Sequence, residues 1–186
     1  MYRLFIEKRM PSEEFIKKIL KKYHIEYDIF YNEHRKPYIK NNPIYFNISH
    51  SGDYIVGVVS DKEVGVDIQE LMYKEKVVDR ICTENEKKYP ITPENFTKMW
   101  AIKEAYVKKV GIGLSYGLQN VDTTKVDNID IYKLENYYIA VSYDKWNWLI
   151  SISFFMGQSN KKINISIDKN LILYRIKYTK SKYADL

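Results

Sequence analysis

Among its 186 residues the chain has a single cysteine, Cys82. That excludes an intramolecular disulfide and any metal site built from several thiolates. No apolar run is long enough to span a bilayer, and the charged stretch from Met1 to Arg9 lacks the apolar core of a signal peptide. The expectation is a cytoplasmic protein with no membrane segment. Internal repeats and low-complexity tracts are also missing. Lysines are spread along the chain without forming one basic block, and no basic stripe interleaved with aromatics makes a nucleic-acid motif.

What is present points to a globular protein. Hydrophobic residues make up 45% and charged residues 29%, a balance that favours a folded core over disorder. The length suits one domain or two small subdomains. Eighteen tyrosines fit half-buried, pleated surfaces and a large β component. A net charge of +6 and a pI of about 9.1 imply an anionic partner, either a phosphorylated small molecule or an acidic protein.

Tyr2 to Arg9 reads as a first strand. Ser12 is a candidate N-cap for a helix whose residues Phe15, Ile16, Ile19, Leu20 and Tyr23 share one face. Strands are expected at Glu26–Tyr31, Ile44–Ile48, Tyr54–Val59 and Val64–Ile68. The last three, joined by brief turns, suggest an antiparallel meander. One or two helical turns fit Lys74–Ile81. Thr83-Glu84-Asn85-Glu86 has the form of a capping box. Thr92 and Pro93 open a longer helix, which Gly111 ends. Strands then follow at Ile129–Leu134, Tyr137–Ser142 and Trp148–Phe155, with a hairpin from Asn164–Ile167 and Leu171–Tyr178.

Chemistry concentrates between Phe46 and Lys108. In Val64–Ile68 the alternation sets Val64, Val66 and Ile68 on one face and Gly65, Asp67 and Gln69 on the other. On the long helix, Trp100, Glu104 and Lys108 share a side, so Glu104 borders an apolar stripe. A solvent-facing Asp67 and an ordinary Glu104–Lys108 pair at i, i+4 are the bland readings. If the two carboxylates converge, they suit Mg²⁺, with Lys108 and His50 on a phosphate. For His50 the bland reading is a turn residue. His24 and His34 have nothing comparable around them.

Phe-Asn-Ile-Ser-His-Ser-Gly at 46–52, Gly-Val-Asp-Ile at 65–68 and Trp-x-x-Lys-Glu-Ala-x-x-Lys-x-x-Gly-x-Gly-Leu at 100–114 together resemble the motifs of 4′-phosphopantetheinyl transferases. Arg35-Lys36-Pro37 resembles that family's Gly-Lys-Pro element, with Arg in place of Gly. The resemblance spans roughly residues 35 to 115, in order. It implies transfer of the phosphopantetheine arm of coenzyme A to a serine of an apo carrier protein, acyl, polyketide or peptidyl in type. The position of Asp67 well inside the chain implies the Sfp-type subgroup. Its fold is α+β, a monomeric pseudodimer of two similar subdomains. Antiparallel sheets pack with helices, and the active site lies between the halves, here residues 1–62 and 63–186.

Carried over by position, Asp67 and Glu104 become Mg²⁺ ligands, with Glu104 also aiding removal of the serine proton. Lys108 meets the pyrophosphate, Ser49 and His50 meet phosphates of coenzyme A, and Lys36 with Pro37 the adenine side. Glu86 falls where the family places an acid, although the capping box explains it equally. The stretch from Tyr73 to Tyr89 faces the carrier. Gln69 departs from the pattern: it stands where the family often has a third carboxylate, so water or its own amide completes the metal sphere. The region ahead of Lys36-Pro37 is also short, which leaves the 3′-phosphate ligands open. Rival readings are an inactive coenzyme A-binding homologue and a basic module that binds nucleotides or nucleic acid.

Overall fold

The computed structural model describes residues 2–23, 28–33, 36–40, 44–113 and 116–144, and the strand segments 164–167 and 174–176. In chain order the elements are β1 (Tyr2–Lys8), α1 (Ser12–Lys21), β2 (Ile29–Tyr31), β3 (Pro37–Ile39), β4 (Tyr45–Ser51), β5 (Tyr54–Ser60) and β6 (Val64–Glu70). They continue with α2 (Glu75–Ile81), α3 (Pro93–Val110), β7 (Ile129–Leu134), β8 (Tyr137–Tyr143), β9 (Asn164–Ile167) and β10 (Tyr174–Ile176). The protein is α+β. One sheet has the order β4-β5-β1-β9, the second β10-β7-β8-β6, and β2 with β3 forms a separate ribbon. Within the triplets β4-β5-β1 and β7-β8-β6 all pairings are antiparallel. In each triplet a strand, a helical segment and a hairpin follow one another in the chain.

Period-two alternation explains the layers. Tyr2, Leu4 and Ile6 of β1 and Tyr54, Val56 and Val58 of β5 meet Val64, Val66 and Ile68 of β6 and Ile139 and Val141 of β8 in a core between the two sheets. The opposite face of the first sheet, with Phe5, Ile55 and Val59, takes Phe15, Ile16, Ile19 and Leu20 of α1. The opposite face of the second, with Ile129, Ile131 and Ala140, takes Phe96, Ile102 and Ala105 of α3. Helix, sheet, sheet and helix therefore stack in that order. Inside the central core, the Tyr2 hydroxyl donates to Asp130 Oδ2 at 2.6 Å and lies 2.6 Å from the Tyr132 hydroxyl. No helix among the described residues is long and apolar enough to cross a membrane.

Local signals hold where they act on their own backbone. Thr92 Oγ1 accepts the Asn95 N–H at 3.2 Å, Pro93 opens α3, and Gly111 closes it at φ 77°. The capping box forms as well: the Thr83 N–H donates to Glu86 Oε2 at 2.7 Å, and the Glu86 N–H donates to Thr83 Oγ1 at 3.3 Å.

Several expectations are corrected. Ser12 is the first helical residue and not the cap. Pro11 precedes it, extended at φ −55° and ψ 133°, and its carbonyl accepts the Phe15 N–H. The expected three-strand meander breaks after β5, because β6 pairs with β8 and starts the second sheet. β4 runs through Ser51, so Ser49 and His50 are strand residues and the turn begins at Gly52, φ 50°. The C-terminal hairpin does not form. β9 lies parallel to β1 and β10 antiparallel to β7, so long-range pairing overrides the local turn signal. The expected strand at 148–155, residues 24–27, His34 and Arg35 lie outside the described residues.

Candidate active site

Gly65 sets the site's dimensions. A Cβ there would stand 2.1 Å from the Ala105 carbonyl oxygen and 2.4 Å from the Lys109 nitrogen, so α3 rests directly on β6. Only glycine permits that approach. Two residues on, Asp67 faces α3 across a row completed by Ala140 and Ile131. Its carboxylate is 1% exposed. Oδ1 accepts from Ser49 Oγ at 2.7 Å and from Lys108 Nζ at 2.5 Å, while Oδ2 accepts from Gln69 Nε2 at 2.7 Å. Lys108 Nζ also donates to Ser49 Oγ at 3.0 Å.

Glu104, one turn before Lys108, is buried beside this group. Burial first, and the Asp67 charge second, push its carboxyl up to about 7; Lys108 and the Trp100 indole N–H pull the other way. Two carboxylates therefore converge, one already braced by an ammonium and the other reluctant to ionise without more positive charge. Oxygen donors and mutual repulsion fit Mg²⁺. Asp67, Glu104 and the amide of Gln69 are the residues that would hold it. Among the described residues no three of His, Cys, Asp and Glu gather into a larger cage.

The segment from Asn47 to Ser51 has a role that sequence reasoning missed. Its alternate side chains point at the edge of β6. The Val66 N–H donates to Asn47 Oδ1 at 2.9 Å, the Ile68 N–H to Ser49 Oγ at 3.5 Å, and the Glu70 N–H to Ser51 Oγ at 3.1 Å. These bonds stitch β4 to β6 and carry Ser49 to Asp67. Polar residues at strict two-residue spacing in Asn47-Ile48-Ser49-His50-Ser51 were the available signal. His50 is exposed on the opposite pleat face, with Phe46 and Ile48, and is not brought to Asp67.

A cleft of about 380 Å³ opens beside this centre. Tyr31, Lys36 and Pro37 line one wall, Asn47 and Ile48 another, and Lys108, Gly111 and Gly113 the end of α3. Lys36 Nζ donates to the Lys109 carbonyl at 3.1 Å and to Glu63 Oε2 at 3.2 Å, which ties the ribbon to α3. The structure thus brings together Asp67, Glu104, Lys108, Ser49 and Gln69, with Lys36 and Pro37 along the adjoining cleft.

Lys103 was also missed. It is fully buried, and Nζ donates to Glu86 Oε2 and to the carbonyls of Ile81, Leu118 and Val121 at 2.6 to 3.2 Å. Glu86 Oε1 accepts in turn from the Thr123 N–H and hydroxyl. This pair anchors the loops around α3, so Glu86 is occupied structurally.

Residues 63–153 match the profile of the 4′-phosphopantetheinyl transferase superfamily. The chain is similar to the 4′-phosphopantetheinyl transferase psf-1 of Bacillus pumilus, 37% identical over 46% of this chain and 40% of that one. With the transferase gsp of Aneurinibacillus migulanus it shares 32% over 55% and 46%. With AcpT of Escherichia coli O157:H7 the figures are 32% over 61% and 65%. The chain spans less than half the length of the first two relatives.

Proposed function

We propose that this chain is an Sfp-type 4′-phosphopantetheinyl transferase, moving the arm of coenzyme A to a serine of an apo acyl or peptidyl carrier protein. The observation that carries the proposal is the convergence of Asp67, Glu104 and Lys108 beside the cleft walled by Lys36 and Pro37. The matching connectivity of β4-β5-β1 and β7-β8-β6 supports a monomeric pseudodimer, with residues 1–62 and 63–186 as its halves and the site at their junction.

In this reading the pantetheine phosphates lie at Lys108, and the adenine side lies along Lys36 and Pro37. Asp67 and Glu104, with the Gln69 amide or water, would hold Mg²⁺, which would supply positive charge to offset that of the phosphates. The carrier serine oxygen attacks the β-phosphorus, the bond to the bridging oxygen breaks, and adenosine 3′,5′-bisphosphate leaves. Glu104 takes the serine proton, directly or through a water. Lys108 balances charge growing on the phosphate. Ser49, already bonded to both Asp67 and Lys108, fixes their relative positions and needs little movement to meet a phosphate oxygen. His50 reaches the ligand only from the outer face of β4.

The test incubates the protein with coenzyme A, Mg²⁺ and a panel of apo carriers and follows carrier mass. A gain of one phosphopantetheine arm is expected. No gain on any carrier overturns the proposal, and coenzyme A binding without turnover would identify an inactive homologue instead.

A further inference from the structure

Along α3 the site has two unlike ends. The cleft opens at the C-terminal end, where Lys108, Gly111 and Gly113 line it. At the other end lies the cross-strand row Gln69, Tyr138 and Lys133, the next in register after Asp67, Ala140 and Ile131. Lys98 of α3 reaches over this row. Its Nζ is 5.4 Å from the centre of the Tyr138 ring, and Lys133 Nζ is 5.7 Å from the same ring. Two ammonium groups thus share one aromatic ring.

Lys98 is 9% exposed. Neither lysine forms an ion pair with a carboxylate among the described residues. Burial and the like charge of Lys133 hold Lys98 below the usual lysine range, against the pull of Glu94 one turn back. Gln69 brings no charge to the row, and its amide is committed to Asp67. Burial disfavours the Lys98 ammonium, Glu94 offsets part of that cost without closing an ion pair, and an incoming anion relieves more of it.

We infer that Lys98, Lys133 and Tyr138 form an anion subsite that takes a carboxylate from an acidic surface of the acceptor protein, beside the serine to be modified. This rests on the transfer reading above. Displacement at phosphorus places the attacking and leaving oxygens roughly in line. With the leaving nucleotide in the cleft at the Lys108 end, the acceptor enters from the Lys98 end. Leu71 and Tyr73, exposed at 40% and 46%, follow β6 at that end, as suits contact with a protein surface more than capture of a small ion.

The experiment measures binding of a fluorescently labelled apo carrier protein to wild type, K98M, K133M and the double variant, at low and high salt. It also determines KM for carrier and for coenzyme A. The double variant is expected to weaken carrier binding by about tenfold or more at low salt and to lose most of the salt dependence. KM for coenzyme A should stay within twofold. K98R/K133R, which keeps both charges, should bind nearly as wild type, and melting curves confirm folding. Carrier binding within twofold of wild type in the double variant overturns the subsite, as does a rise confined to KM for coenzyme A. If wild type transfers nothing, the function proposed above falls, and the binding titration still decides the subsite.

Discussion

At the scale of single residues, Glu104 offers a way to separate its proposed catalytic role from a structural one, because its burial is unfavourable to the ion. Its carboxyl ionises near 7 in the fold, against an ordinary value of 4.5. Below pH 4.5 both folded and unfolded chains hold the proton, and stability is unaffected. Between 4.5 and 7 only the folded chain holds it, so stability falls as pH rises. Above 7 the full cost applies, about 3 kcal/mol in the metal-free protein. Glu104→Gln should therefore leave urea stability unchanged at pH 4 and raise it by about 2–3 kcal/mol at pH 8. The same variant should lower kcat for transfer at least a hundredfold, roughly the contribution of a general base. In the wild type, transfer should decline as pH falls below about 7, or below a lower value once Mg²⁺ is bound, because a cation favours the carboxylate.

At the scale of elements, the contact of α3 with β6 and the anchoring of α3 by Lys103 are separately testable. Gly65→Ala forces a methyl into the Ala105 carbonyl. It should destabilise by about 2–3 kcal/mol in urea melts and impair transfer by parting Glu104 from Asp67. Lys103→Met leaves Glu86 buried and uncompensated, at a cost of about 3–5 kcal/mol. Adding Glu86→Gln should recover part of that loss, which denaturation of the double variant would measure. Much of α3 was legible beforehand, because Thr92, Pro93 and Gly111 act on their own neighbours. Asp67 was legible for a similar reason: the alternation of Val64, Val66 and Ile68 assigns it a face. Lys103 was not, since burial of a lysine follows from carbonyls at Ile81, Leu118 and Val121 that sequence spacing does not bring together.

At the scale of the whole molecule, pairing between distant strands was the illegible part. Nothing near Asn164 announces a parallel partner at β1, and nothing near Val64 announces that β6 leaves its predecessor for β8. The family resemblance placed a boundary there, whereas the strand pattern alone suggested a continuous meander. His50 shows the same limit at the site. The resemblance gave Ser49 and His50 one ligand, while adjacent strand residues face opposite ways and only Ser49 is set beside Asp67.

The stitching of β4 to β6 has a further consequence, for self-association. Among the described strands β6 ends its sheet, and an edge strand ordinarily offers its free amides to any extended chain that drifts past. Here Asn47, Ser49 and Ser51 occupy the amides of Val66, Ile68 and Glu70, so the edge is closed to strand addition. A variant with Asn47→Ala and Ser51→Ala should retain the Ser49–Asp67–Lys108 contacts yet scatter light on mild heating well before the wild type does. The row of small polar residues that leads to the candidate site thereby also guards the sheet edge against strand addition.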